Sequence, residues 1–125
     1  MYLVDTNIFL EILLKRSKSN ECKRFLNNSS VTFYISDFSL HSLGVILFRE
    51  QKEYLFLKII KDILPQFRLV TLPIIDYQNI PNIRSKLGLD FDDAYQYSVA
   101  KYYSLQIVTM DADYQVIKDI KVVFI

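Results

Sequence analysis

Aspartates crowd the stretch LDFDDAYQYSVA, residues 89–100. Asp90, Asp92 and Asp93 stand there ahead of aromatic, small and apolar residues. Two carboxylates about 4 Å apart repel by about 4 kcal/mol at an effective dielectric near 20, so an inward-facing cluster requires an opposite charge. Aspartate is also favoured in the first turn of a helix, where free N–H groups and the helix dipole stabilise it. Either a charge-binding site or a helix cap would account for the stretch.

Two further aspartates follow predicted strands. Asp5 comes directly after the apolar run 1–4, and Asp111 lies two residues beyond the β-prone run 106–109. In parallel sheets ligands bind beyond the carboxyl ends of the strands, where the strand order reverses. We therefore expect Asp5 and Asp111 at that edge. Spacing alone does not place Asp93 there, because its helix follows another helix; Asp92 and Asp90 are interpreted as a helix cap and a solvated loop acid.

Strand-like and helix-like segments alternate along the whole chain. Strands are predicted at 1–4, 31–35, 67–72, 106–109 and 122–124. Helices are predicted at 8–13, 20–26, 40–48, 51–64, 76–87 and 92–103. The strands have continuous rather than alternating apolar content, which favours a mostly parallel sheet with helices on both faces. The predicted fold class is α/β, a three-layer α/β/α sandwich.

The composition limits the remaining possibilities. The 125 residues fit one domain, 1–125, and the 51% hydrophobic content excludes a disordered chain. A net charge of +1 means that a nucleic acid would be held by a local basic patch. The single Cys22 excludes an intramolecular disulfide, and no apolar run reaches the length of about 20 residues that spans a bilayer. We expect a cytoplasmic protein with no membrane partner.

Several ordered motifs resemble a known family. The matching pieces are LVDTNIFLEIL, ISDFSLHSL, DDAYQYSVAKYYSLQIVTMDADY and the terminal VVFI. DTN alone is common, but the ordered set extends over almost the whole chain and is more specific. It resembles the PIN domain, the ribonuclease fold of the VapC toxins of toxin–antitoxin pairs.

This resemblance implies a five-stranded parallel sheet and an acidic pocket that binds Mg²⁺ or Mn²⁺ and hydrolyses RNA phosphodiesters. Carried over by position, Asp5, Asp93 and Asp111 are the catalytic and metal-binding acids. Hard divalent cations prefer carboxylate oxygens, activate a bound water and offset the charge on the phosphate. The implied partners are single-stranded or structured RNA, an antitoxin protein and a second copy of the chain in a homodimer.

Four more residues are predicted to support these acids or to contact the substrate: Asn7, Ser42, Thr109 and Asp113. Helix capping explains Asn7 equally well. Asp113 fits an outer ligand and the cap of a short turn from Tyr114 equally well.

One acid of the family pattern is missing. The family frame I-S-x-x-T-x-x-E-L reads ISDFSLHSL here, which puts Ser42 at the glutamate position. Serine can hydrogen-bond a metal-bound water but brings no charge. His41 lies about 100° around the helix from Ser42, and Asp37 could reach in from the strand end. Ser42, His41 and Asp37 are therefore three open alternatives for the place of the missing acid.

The main functional hypothesis is therefore a Mg²⁺- or Mn²⁺-dependent endoribonuclease. The alternative is a catalytically impaired PIN module that binds RNA or a protein. Phosphoryl-transfer proteins on similar sheets are disfavoured: haloacid dehalogenase-type phosphatases need D-x-D after strand one, where this chain reads Asp5-Thr6-Asn7.

Overall fold

The computed structural model describes residues 1–125 and contains five strands in one sheet. The strands are β1 (Tyr2–Val4), β2 (Phe33–Ser36), β3 (Phe67–Val70), β4 (Gln106–Thr109) and β5 (Val122–Phe124). Their order is β3-β2-β1-β4-β5, and every neighbouring pair is parallel. β2 and β3 lie on one side of β1, and the later strands β4 and β5 lie on its other side. The strand order consequently reverses between β1 and β4.

Six α-helices surround the sheet. They are α1 (Thr6–Leu13), α2 (Ser19–Leu26), α3 (Asp37–Arg49), α4 (Glu53–Lys58), α5 (Ile80–Leu87) and α6 (Phe91–Tyr103). A π-helical turn, Ile59–Ile63, follows α4, and short 3-10 turns lie at Leu64–Gln66, Ile74–Asn79 and Ala112–Val116. None of the helices combines the length and the apolar content that crossing a membrane would require.

Alternate side chains of the central strands enter two separate cores. Leu3 and Ile107 pack with residues of α5 and α6, whereas Val4 and Val108 pack with residues of α1 to α4. Successive side chains of a strand point to opposite faces of a sheet, so both faces are covered by helices. The predicted three-layer α/β/α sandwich is confirmed, and the sheet is parallel throughout.

One helix begins earlier than predicted because a strand residue caps it. The helix predicted at 40–48 is α3, which starts at Asp37. The Ser36 hydroxyl accepts a hydrogen bond from the Ser39 N–H at 3.0 Å, which satisfies one of the free donors of the first turn.

Two long predicted helices are interrupted. The segment 51–64 contains α4 and then the π-helical turn, and the segment 76–87 starts as a 3-10 turn before α5. Pro81 lies in the first turn of α5, where its missing N–H removes no intrahelical hydrogen bond. Gly88 follows α5 in the left-handed conformation with φ of 71°, so the helix ends at residue 87 as predicted.

Candidate active site

The three predicted acids meet at one hollow of about 220 Å³ beside the point where the strand order reverses. Asp5 follows β1, Asp111 lies two residues beyond β4, and Asp93 is in the first turn of α6. Asn7 and Ser42 also line the hollow. Residues far apart in the sequence are thus brought together as predicted, whereas their catalytic and metal-binding roles stay predictions.

Asp5 is held firmly by hydrogen bonds. Its side chain is 8% exposed. Oδ1 accepts from the Thr6 N–H at 2.8 Å and from Gln96 Nε2 at 3.1 Å, and Oδ2 accepts from Thr109 Oγ1 at 2.8 Å. Burial raises the pKa of Asp5, while the bonds from Thr109 and Gln96 oppose that rise. With two donors on Oδ1 and one on Oδ2, it is Oδ2 that keeps a free acceptor position.

Thr109 joins the ends of the two central strands. Besides donating to Asp5, its buried hydroxyl accepts from the Asp111 N–H at 3.0 Å and from Asn7 Nδ2 at 3.3 Å. Asn7 Oδ1 in turn accepts from the Met110 N–H at 3.2 Å. Asn7 and Thr109 therefore tie the segment after β1, which carries Asp5, to the segment after β4, which carries Asp111. Asp5, not Asn7, caps α1, so the side chain of Asn7 supports the site instead of the helix end.

Sequence reasoning missed Gln96. This side chain is 1% exposed, and it lies three residues after Asp93 on α6. Its Oε1 accepts from Ser36 Oγ at 2.6 Å, and its Nε2 donates to Ser39 Oγ at 2.7 Å as well as to Asp5. The available signal was an amide in a run of aromatic, small and apolar residues one turn after Asp93, because a buried amide requires polar partners.

Replacing Gln96 with leucine is expected to lower the free energy of unfolding by about 1–3 kcal/mol. The substitution removes a donor from Asp5 and leaves the buried hydroxyl of Ser36 without its acceptor. Urea unfolding measures the change. The same replacement at the exposed Gln115 is the control, with an expected change within about 0.5 kcal/mol. Equal effects of the two substitutions would contradict a structural role for the Gln96 amide.

Asp93 contrasts with Asp5 in being poorly satisfied. It is 9% exposed. Burial, followed by the charges of Asp92 and Asp111, raises its pKa to about 7, and the nearby Tyr114 hydroxyl opposes the rise. An opposite charge in the hollow would restore the ionised form.

The oxygen atoms available here suit a hard cation. One carboxylate oxygen each from Asp93, Asp111 and Asp113 lie within 4.8 Å of one another. Carboxylate oxygens are the ligands that Mg²⁺ and related ions prefer. Asp113 is exposed, and Asp111 rather than Asp113 caps the turn, so the structure is compatible with the interpretation of Asp113 as an outer ligand.

Asp111 has a second, local role. Its Oδ1 accepts from the Asp113 N–H at 2.9 Å and thereby caps the 3-10 turn Ala112–Val116. Asp111 can cap this turn and still line the hollow, because the bond uses one oxygen of the carboxylate.

Of the three alternatives at the missing acid, only Ser42 lines the hollow. His41 is exposed and lines a separate apolar groove with Asp37. The Asp37 carboxylate accepts from the Tyr95 hydroxyl and from the Phe38 N–H. The position equivalent to the family glutamate thus carries no charge.

Of the other two acids of the opening stretch, Asp90 is the solvated loop acid that was predicted, whereas Asp92 is not the predicted cap. Asp92 lines the hollow, and no side chain caps α6. Asp90 precedes the helix and forms an exposed ion pair with Arg84. Asp92 therefore adds negative charge to the hollow instead of serving as a cap.

The fold and the hollow define a doubly wound parallel α/β domain with an acidic site at the reversal of strand order. The chain matches the family model of the PIN domain over residues 2–120. It belongs to the PIN domain family, which confirms the resemblance of its motifs. A comparison with curated proteins gave no match.

Solved structures share this fold at low sequence identity. FitAcB from Neisseria gonorrhoeae is 24% identical over 98% of this chain and 96% of its own, with a TM-score of 0.75. VapC20 from Mycobacterium tuberculosis, described as a sarcin-ricin loop cleaving toxin, is 14% identical over 92% and 93%, with a TM-score of 0.77. A toxin–antitoxin complex from Klebsiella pneumoniae is 20% identical over 91% and 90%, with a TM-score of 0.73.

Proposed function

We propose that this PIN domain is a Mg²⁺- or Mn²⁺-dependent endoribonuclease and the toxin of a toxin–antitoxin pair. The observation that carries the proposal is the meeting of Asp5, Asp93 and Asp111 around one hollow at the carboxyl edge of the sheet. Asp113 adds a fourth carboxylate beside two of them. Such a concentration of like charge, half of it buried, is stabilised by a divalent cation.

The residues of the hollow have distinct tasks in this proposal. Asp5, Asp93, Asp111 and Asp113 would hold the cation, which when bound lowers the pKa of a water and offsets charge on the scissile phosphate. Thr109 and Gln96 keep the Asp5 carboxylate in a fixed orientation, with Oδ2 free to bind. Without a cation, Asp93 holds its proton in a large share of molecules near neutral pH, because its pKa is about 7.

The structural neighbours support the choice of substrate and partner. VapC20 is described as a sarcin-ricin loop cleaving toxin, and one similar fold from Klebsiella pneumoniae was solved as a toxin–antitoxin complex. We therefore propose single-stranded or structured RNA as substrate, an antitoxin as protein partner, and a homodimer in the cytoplasm.

A second function is favoured by one specific observation. Ser42 faces the hollow where the family pattern has glutamate, so the hollow lacks one negative charge. A PIN module with weakened cation binding could retain RNA or protein binding without turnover.

The test is cleavage of a single-stranded RNA with Mn²⁺ and with a chelator. Asp111→Asn keeps the oxygen that accepts from Asp113 and removes the charge, so its cleavage rate is expected to fall by about a hundredfold or more. Asp62→Asn, at an exposed acid outside the hollow, is the matched control with parental activity. Equal rates of Asp111→Asn and parent would remove the proposed site. RNA binding with no cleavage product in any condition would favour the second function.

A further inference from the structure

A buried tyrosine hydroxyl beneath the acids has no partner. Tyr114 is 0% exposed, and its hydroxyl forms no hydrogen bond. Leaving a buried hydroxyl unpaired costs about 1–3 kcal/mol, and buried polar groups are therefore paired in the great majority of cases. An unpaired hydroxyl beside the buried Asp93 requires an explanation.

The hydroxyl faces the least satisfied carboxylate of the hollow. The Tyr114 hydroxyl lies beside Asp93, close enough to oppose the rise in the pKa of that carboxyl. A tyrosine hydroxyl is protonated at neutral pH and can therefore donate a hydrogen bond. A donor without an acceptor and an acceptor without a donor thus lie next to each other, although no hydrogen bond joins them.

We propose that Tyr114 is a positioning residue whose hydroxyl donates to the Asp93 carboxylate when a divalent cation occupies the hollow. This inference rests on the proposed cation site. Carboxylates that bind metals are themselves held by hydrogen bonds, and losing such a partner costs 10–100-fold in affinity. Asp5 already accepts three such bonds, whereas the side chain that could donate to Asp93 in this way is Tyr114.

A positioning role and a purely structural role predict opposite results. The hydroxyl forms no hydrogen bond in the structure, so its removal should leave the melting temperature in chelator unchanged or slightly higher. A hydroxyl that served the fold would instead lower the melting temperature when removed, and cation affinity would stay the same.

The experiment is a titration of the full chain with Mn²⁺ in the absence of RNA. Calorimetry and electron paramagnetic resonance measure the binding of the ion. Tyr114→Phe is expected to bind Mn²⁺ about tenfold more weakly than the parent, or worse, with no fall in the melting temperature in chelator. Tyr97→Phe is the matched control. The buried Tyr97 does not line the hollow, and its hydroxyl donates a hydrogen bond of 2.8 Å to Asp119. It should lower the melting temperature and keep the parental Mn²⁺ affinity.

Equal Mn²⁺ affinity of Tyr114→Phe and parent would overturn the positioning role, and so would a lower melting temperature with unchanged affinity. Where the parent binds Mn²⁺ and cleaves no RNA, the nuclease function fails while the affinity comparison still decides the role of Tyr114. A parent that binds no Mn²⁺ overturns both.

Discussion

Replacing Asp93 with asparagine is expected to abolish cation-dependent RNA cleavage and at the same time to stabilise the cation-free protein at about pH 8. The loss of activity should reach about a thousandfold, because a catalytic cation contributes several kcal/mol and about 1.4 kcal/mol is tenfold in rate. Asp93 accepts no formed hydrogen bond that the substitution would break, so the fold is expected to persist.

The stability gain follows from the protonation of Asp93. Its pKa is about 7 in the folded protein, against an ordinary value of 3.8. The folded carboxyl holds its proton more tightly than the unfolded one, so stability falls as the pH rises from about 4 to about 7 and stays lower above that range. Asparagine carries no charge, and the variant should gain about 0.5–2 kcal/mol at about pH 8 and little at about pH 4.

Urea unfolding in chelator at several pH values measures this difference, and RNA cleavage with Mn²⁺ measures the loss of activity. The exposed Asp62→Asn variant should match the parent in both assays. A variant at Asp93 that is less stable than the parent at about pH 8 would show that the buried charge is already compensated without a cation.

The second large effect is expected from adding the missing acid. Ser42→Glu should raise Mn²⁺ affinity by about tenfold to a hundredfold, which corresponds to about 1.4–2.8 kcal/mol. Opposite unit charges about 4 Å apart attract by about 4 kcal/mol at an effective dielectric near 20, and desolvation of the new carboxylate offsets part of this. Ser42 already lines the hollow, so the longer side chain can reach the cation.

Ser42→Gln is the matched control for size, since it adds the same bulk without charge. Calorimetric titration with Mn²⁺ compares the two variants with the parent. If glutamate and glutamine give the same affinity, position 42 is not part of the cation environment, and the difference between this chain and the family frame has no electrostatic consequence.

The sheet and its acidic edge were predictable because they depend on local patterns. Apolar runs that end in Asp5 and shortly before Asp111 define strands and the edge to which they point. The position of Asp93 came from the resemblance, since only the packing of α6 against the sheet brings its first turn to that edge.

The hydrogen-bond partners of the acids were less predictable. Gln96 reaches Asp5 through a side-chain conformation that places its amide between α3 and β1, and sequence spacing contains no information on that choice. The unpaired hydroxyl of Tyr114 likewise becomes evident only from the folded turn 112–116, because the sequence does not show which polar atoms are buried without a partner. Helix interruptions such as Ile59–Ile63 arise from packing that no periodicity reports.

The central position of β1 has a consequence for how this molecule could be controlled. The Asp5 N–H donates to the Val108 carbonyl at 2.9 Å, so the carboxylate emerges from the interior of the sheet and not from a fraying edge. Segments of this kind open only when the whole domain unfolds. Amide hydrogen exchange at Asp5 should therefore be as slow as global unfolding. Local unfolding of this strand would not inactivate the site, so control of the site would require either a bound partner that blocks the hollow or degradation of the protein.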